Sequence, residues 1–221
     1  MSNIASDHLR VIRSLMERAT IYRALSAPAA AISGILALIG AIAFPFVSSQ
    51  LRRIDEALLF FLYWLVILAC VALSHYHLLR MEAKKEGKAF PSPAMKLALA
   101  CFMPPILIAG FVSGLILMAS VGVSDHLYPM SSVWMIGYGL GLLAMRSFAP
   151  SSILTLGWVF SLAGCILLCV PFVQPSWIYE EPFLSCAAMG ITFGAFHLIY
   201  AVVVRSTAGK KQAAGQVASP E

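Results

Sequence analysis

Six stretches of the chain, each close to the ~20 residues that cross a hydrocarbon layer as a helix, carry no Asp or Glu at all. They fall at residues 25–48, 57–79, 97–120, 128–148, 151–173 and 183–204. Helices are the expected form, because lipid cannot satisfy backbone N–H and C=O groups, and strands of a barrel would alternate where these runs do not. A water-soluble core could not hide this much apolar surface: of 221 residues 60% are hydrophobic and only 11% charged, against roughly one-quarter charged in ordinary soluble domains. The expected fold is therefore all-α, a polytopic integral membrane protein with a bundle of six transmembrane helices over 25–204. The first span should stay as an anchor, since some two dozen polar and basic residues precede it and no small-x-small cleavage site follows.

The basic residues set an orientation. With six spans, the N-terminus, the second and fourth connections and the C-terminus share one side and hold 4, 5, 1 and 3 Lys and Arg. The other side holds two, Arg52 and Arg53, next to Asp55 and Glu56. The positive-inside rule then places both termini in the cytoplasm. The formal charge of +5 is accordingly topological and no nucleic-acid partner is expected, although "RMEAKKEGKAFPSPAMK" between spans two and three could touch anionic lipid headgroups.

Outside the spans, residues 1–24 contain Leu9, Ile12, Met16 and Ala19 at helical spacing, with Asp7, Arg10, Arg13 and Glu17 mostly elsewhere. That pattern predicts an amphipathic helix lying in the cytoplasmic interface, with a docking surface for a soluble partner as the alternative. Residues 205–221 are small and polar without an apolar period and are expected to be disordered. Trp177 and Tyr179 should anchor helix ends at the interface, and the neighbouring Glu180 and Glu181 read as hydrated loop carboxylates.

Small residues recur at four-residue spacing in most spans: Gly110 and Gly114, Gly137 and Gly141, Gly157 and Ser161, Gly190 and Gly194, with Gly164 and the Ser33, Ala37, Ala41 stripe in addition. Such faces let helix backbones approach, within one chain or between two copies. Pro104 and Pro105 mark either a packing kink or the kind of midplane break that transporters use.

Chemistry-bearing residues are few. The cysteines number five, an odd count, and all lie in predicted spans; Cys165 and Cys169 share a helix face without a histidine or carboxylate to complete a metal site. His197 lies on the face of Gly190, Gly194 and Ala201, about 12 Å inside Arg205 at 1.5 Å per residue. Ile191, Leu198, Ile199, Val202 and Val203 form the opposite, lipid-facing side. His75 and His77 cannot both face inward, being about 200° apart on one helix, and His75 is the deeper and the better partner for His197. An interhelical hydrogen bond is the favoured role of His197, ahead of a proton relay or substrate site and of haem or metal ligation. No cofactor is expected, and HExxH, GxSxG and paired intramembrane carboxylates are all missing.

The N-terminal "DHLRVIRSLMERATIYRALSAPAAAISGILAL" and the C-terminal "GITFGAFHLIYAVVVR", with six spans between them, resemble an uncharacterised family of small bacterial membrane proteins in which an amphipathic "MER"-type helix precedes span one. The likeness covers nearly the whole length, but this chain reads "YRALSAP" where a "FTAVPG"-like stretch would be expected. The family has no assigned reaction or cofactor. The resemblance implies the bacterial cytoplasmic membrane and, through relatives encoded beside winged-helix-type regulators, a sensing or regulatory association. The expected function is non-enzymatic: a structural, sensory or interaction component, with lipid, a second copy of the chain, or a membrane or cytoplasmic protein as partner. The alternatives are a small-solute transporter or channel, and a haem-binding redox protein built on His75 and His197.

Overall fold

The computed structural model describes residues 27–85, 87, 89–119, 127–147, 149–170 and 182–217. The expected amphipathic helix of residues 1–24, the Trp177 and Tyr179 anchors and Glu180 and Glu181 lie outside the described residues. Within them the chain is all-helical. Helix α1 is Ala27–Gln50, α2 Glu56–Lys85, α3 Pro93–Ala119, α4 Leu127–Ala144 and α5 Ser151–Cys169. The last rod is continuous but changes winding twice: α6 (Pro182–Met189), a π-helical segment (Gly190–Phe196) and α7 (His197–Val217). Among the described residues six helices are long and apolar enough to cross a membrane, the sixth being Phe183–Thr207 along this rod.

The boundaries follow local chemistry. Asp55 caps α2 by accepting the Leu58 N–H at 3.0 Å, and Glu56 in the first turn with Lys84 and Lys85 in the last complements the helix dipole. This charged, helix-favouring end carries α2 past the expected stop at 79. Gly87, at φ 63°, then turns the chain. Ser92 caps α3 by accepting the Met95 N–H at 3.2 Å, with Pro93 in the first helical position, where its missing N–H costs nothing. Helix α3 continues through Pro104 and Pro105, so the break considered there is not made; irregular winding falls in the last rod instead. Helix α7 runs on past the expected boundary at 205 to Val217: nothing between Arg205 and Val217 is a proline, and Ala, Lys and Gln favour helix.

Neighbouring helices alternate in direction. Helix α4 packs between α3 and α5, and α1 packs along the π segment, α7 and α2. Helices α2 and α3, although consecutive, scarcely touch. Glycines set the closest approaches. A Cβ on Gly139 of α4 would strike the Ser161 hydroxyl and sit 2.6 Å from the Gly157 carbonyl of α5. One on Gly194 would lie 2.6 Å from the Leu38 side chain of α1, and one on Gly190 would lie 2.8 Å from the Ala41 Cβ. Gly137 and Gly141 face Ala109 and Phe102 of α3. The α3 pair is different: among the described residues a Cβ on Gly114 would meet nothing within 4 Å and one on Gly110 only the Trp134 ring at 3.7 Å, so neither marks a close backbone approach there.

The distribution of polarity is inverted relative to a water-soluble domain. Met118 is 75% and Phe111 69% exposed, whereas Ser113, Ser131 and Ser132 are fully buried. Ser131 and Ser132 donate back to the carbonyls of Leu127 and Tyr128, one turn earlier.

Candidate functional site: a histidine–tyrosine cavity

Helix α4 reads "GYGLG" over 137–141, and its glycines determine where Tyr138 points. Gly137 meets α3 and Gly139 meets α5; at 100° per residue, Tyr138 projects between those contacts, towards the last rod. There its hydroxyl lies 2.8 Å from Nε2 of His197. The His197 ring is buried, with Phe193 stacked at 16° and Phe160 edge-on at 70°.

The π segment prepares this contact. Its wider turn disturbs the regular hydrogen-bond ladder: the Thr192 hydroxyl donates to the Ala188 carbonyl at 2.7 Å, and the His197 N–H turns to the Gly194 carbonyl. Nδ1 of the imidazole is buried and has no partner among the described residues. The phenol O–H is a better proton donor than a neutral imidazole N–H, which places the ring proton on Nδ1 and leaves Nε2 as the acceptor for the Tyr138 O–H.

His75 reaches the same region from α2. Its Nε2 is 2.8 Å from the Ser33 hydroxyl and 3.1 Å from the Ala29 carbonyl of α1, while the Ser33 hydroxyl itself donates to Ala29 at 3.0 Å. Because a carbonyl only accepts, the ring proton belongs on Nε2, shared between the two oxygens, and Nδ1 keeps its lone pair.

His75 and His197 are thus not bonded to each other, but both line one cavity of about 30 Å³, together with Tyr138 and Tyr200 and an apolar wall that includes Leu142 and Ile153. One water takes about 10–15 Å³ on this scale. The Nε2 atoms of both histidines are engaged by protein groups, and the cavity as it stands is far smaller than a macrocycle. One expectation is corrected. Leu198, expected on the lipid face, packs instead against Gly34 of α1, where a Cβ would approach it to 2.8 Å; four residues after Gly194, it flanks the inward face.

Of the remaining candidates, His77 is exposed, and among the described residues no group of three or more His, Cys, Asp or Glu side chains converges on a metal site. Cys165 and Cys169 are exposed and free. Gly157 and Ser161 line the α4 seam and Gly190 and Gly194 the α1 seam, away from any chemistry-bearing cluster except His197. Reading by spacing passes over Tyr138, Tyr200 and the pairing role of Ser33. A usable signal for Tyr138 was present: a hydroxyl-bearing ring in the middle of a glycine-rich helix has small neighbours on both sides and a direction fixed by them. No protein-family model, curated protein or solved structure matches the chain.

Proposed function

We propose that the chain is an integral component of a bacterial cytoplasmic membrane, crossing it six times with both termini inside, and that it works as a non-enzymatic structural, sensory or interaction protein. The observation that carries this reading is the pairing of an inside-out polarity with one-sided charge. Large apolar side chains cover the outside of the bundle, and Arg80, Lys84, Lys85, Lys96, Arg146 and Arg205 gather at one end against Arg52 and Arg53 at the other. The glycine seams support a tightly closed bundle rather than a wide conduit. The amphipathic stretch of residues 1–24 is the natural docking element on the cytoplasmic side. Retention in the membrane pellet after an alkaline wash, with a stoichiometric protein partner or second copy recovered on mild solubilisation, is the expected result. Release of the chain by the wash excludes the membrane reading, and recovery of the chain as a monomer without a stoichiometric partner excludes the interaction role.

The cavity favours a second reading, transport of a small solute. It carries four polar side chains, His75, Tyr138, His197 and Tyr200, in a mostly apolar wall, lies near the basic end, and includes the residue that directly follows a π segment, a feature frequent at functional sites. Proteoliposome flux that His197→Ala abolishes is its signature; absence of flux across a broad panel of small solutes removes it.

A further inference from the structure

We propose that the cavity lined by His75, Tyr138, His197 and Tyr200 is a binding site for one or two uncharged, water-sized hydrogen-bond donors, either water or ammonia. Its volume of about 30 Å³ holds roughly two waters and nothing much larger. Among the described residues its lining includes no carboxylate, arginine or lysine, so an ion entering it would lose hydration without gaining a counter-charge from them. A neutral occupant meets no such cost.

The protonation pattern narrows the class further. The Tyr138 O–H is given to His197, which leaves lone pairs on the phenol oxygen as acceptors. The Nε2–H of His75 is given to α1, which leaves Nδ1 as that ring's acceptor. His75 and Tyr138 both line the cavity, so an occupant that donates twice can satisfy these two acceptors from two helices. Water and ammonia do; a carbonyl compound or a halide does not. An occupant that bridges them ties α2 to α4 where the two helices make few direct contacts. Occupancy requires no flux, so loss of transport and loss of binding are separate outcomes.

The test uses the full-length protein in lipid vesicles, with histidine, tyrosine and tryptophan isotope-labelled for solid-state NMR. Magnetisation starting on solvent protons should reach the His75 and Tyr138 rings. The buried Trp64 indole, in the aromatic cluster at the opposite end, should stay dark. Direct transfer from water identifies water as the occupant. A saturable change in the His75 resonance on adding ammonium chloride at alkaline pH, but not at acidic pH, identifies ammonia. Ala30→Leu, which fills the cavity from α1, should abolish either signal while the His197 resonance still reports its bond to Tyr138; Leu156→Phe does the same from α5 if the first variant does not fold. The proposal is overturned if neither source reaches His75 and Tyr138 in the native chain, or if both filled variants fold and leave the transfer unchanged.

Discussion

The two ends of the bundle are assembled from the same kinds of helix but closed in different ways. Towards Arg52 and Arg53 the interior is aromatic: Phe44 meets Phe60 edge-on at 5.2 Å and Tyr63 at 5.3 Å, Trp64 completes the group, and Tyr63 disposes of its hydroxyl on the Gly40 carbonyl at 2.9 Å. At the basic end the closure is polar, through the His75–Ser33 and Tyr138–His197 pairs, and a cavity remains between them. Lipid tails offer helices no hydrophobic reason to associate, so close packing and interhelical hydrogen bonds must supply the attraction. The aromatic end relies on the first, the basic end adds the second, and the cavity lies beside the second.

This contrast can be broken most sharply at the seam common to both ends. In Gly139→Leu the new side chain meets the Ser161 hydroxyl and the Gly157 carbonyl, which are fixed parts of α5, so α4 and α5 must move apart. Loss of about 1–3 kcal/mol is expected, read from the unfolding midpoint in detergent. An unchanged midpoint contradicts the α4–α5 packing.

Next in size is the polar pair. A double-mutant cycle with Tyr138→Phe and His197→Phe should return a coupling of about 0.6 to 1.7 kcal/mol, the range measured for hydrogen bonds between membrane helices. A coupling of zero means that the 2.8 Å contact contributes only shape.

Serine to alanine changes sharpen the comparison at nearly constant volume. Ser33→Ala removes the His75 partner and should cost about 0.6 kcal/mol. Ser113→Ala deletes a fully buried hydroxyl with no partner among the described residues, and should leave stability equal or improved. Equal losses at both sites contradict the assignment of polar closure to the histidine end. The smallest effect belongs to α3: Gly114→Leu enters open space and should shift stability by less than about 0.5 kcal/mol.

The spans themselves were legible because their signal is additive: twenty apolar residues state the same thing twenty times, and Asp55, Ser92 and Gly87 punctuate the runs with recognised end chemistry. The inward face of Gly190, Gly194, His197 and Ala201 was legible for the same reason, all four being buried. What could not be read is anything decided by a partner helix. Gly110 and Gly114 have the same spacing as Gly137 and Gly141, yet only the second pair meets another helix closely, because close approach is a property of two surfaces. Leu198, four residues after Gly194, lies on the flank of the inward face, and only the small Gly34 of α1 beside it decides that it packs inward. Tyr138 escapes notice for a related reason: its role exists only once α4 lies against α7.

Thiol labelling of intact cells addresses the central claim, that the basic end of the bundle lies inside a membrane. Arg53→Cys and Lys85→Cys are introduced singly into a chain whose five native cysteines are replaced by alanine, and each is offered a membrane-impermeant reagent. Arg53→Cys should react in intact cells, and Lys85→Cys only after the membrane is opened. Reaction of Lys85→Cys in intact cells, or recovery of the protein in the detergent-free supernatant, contradicts the account.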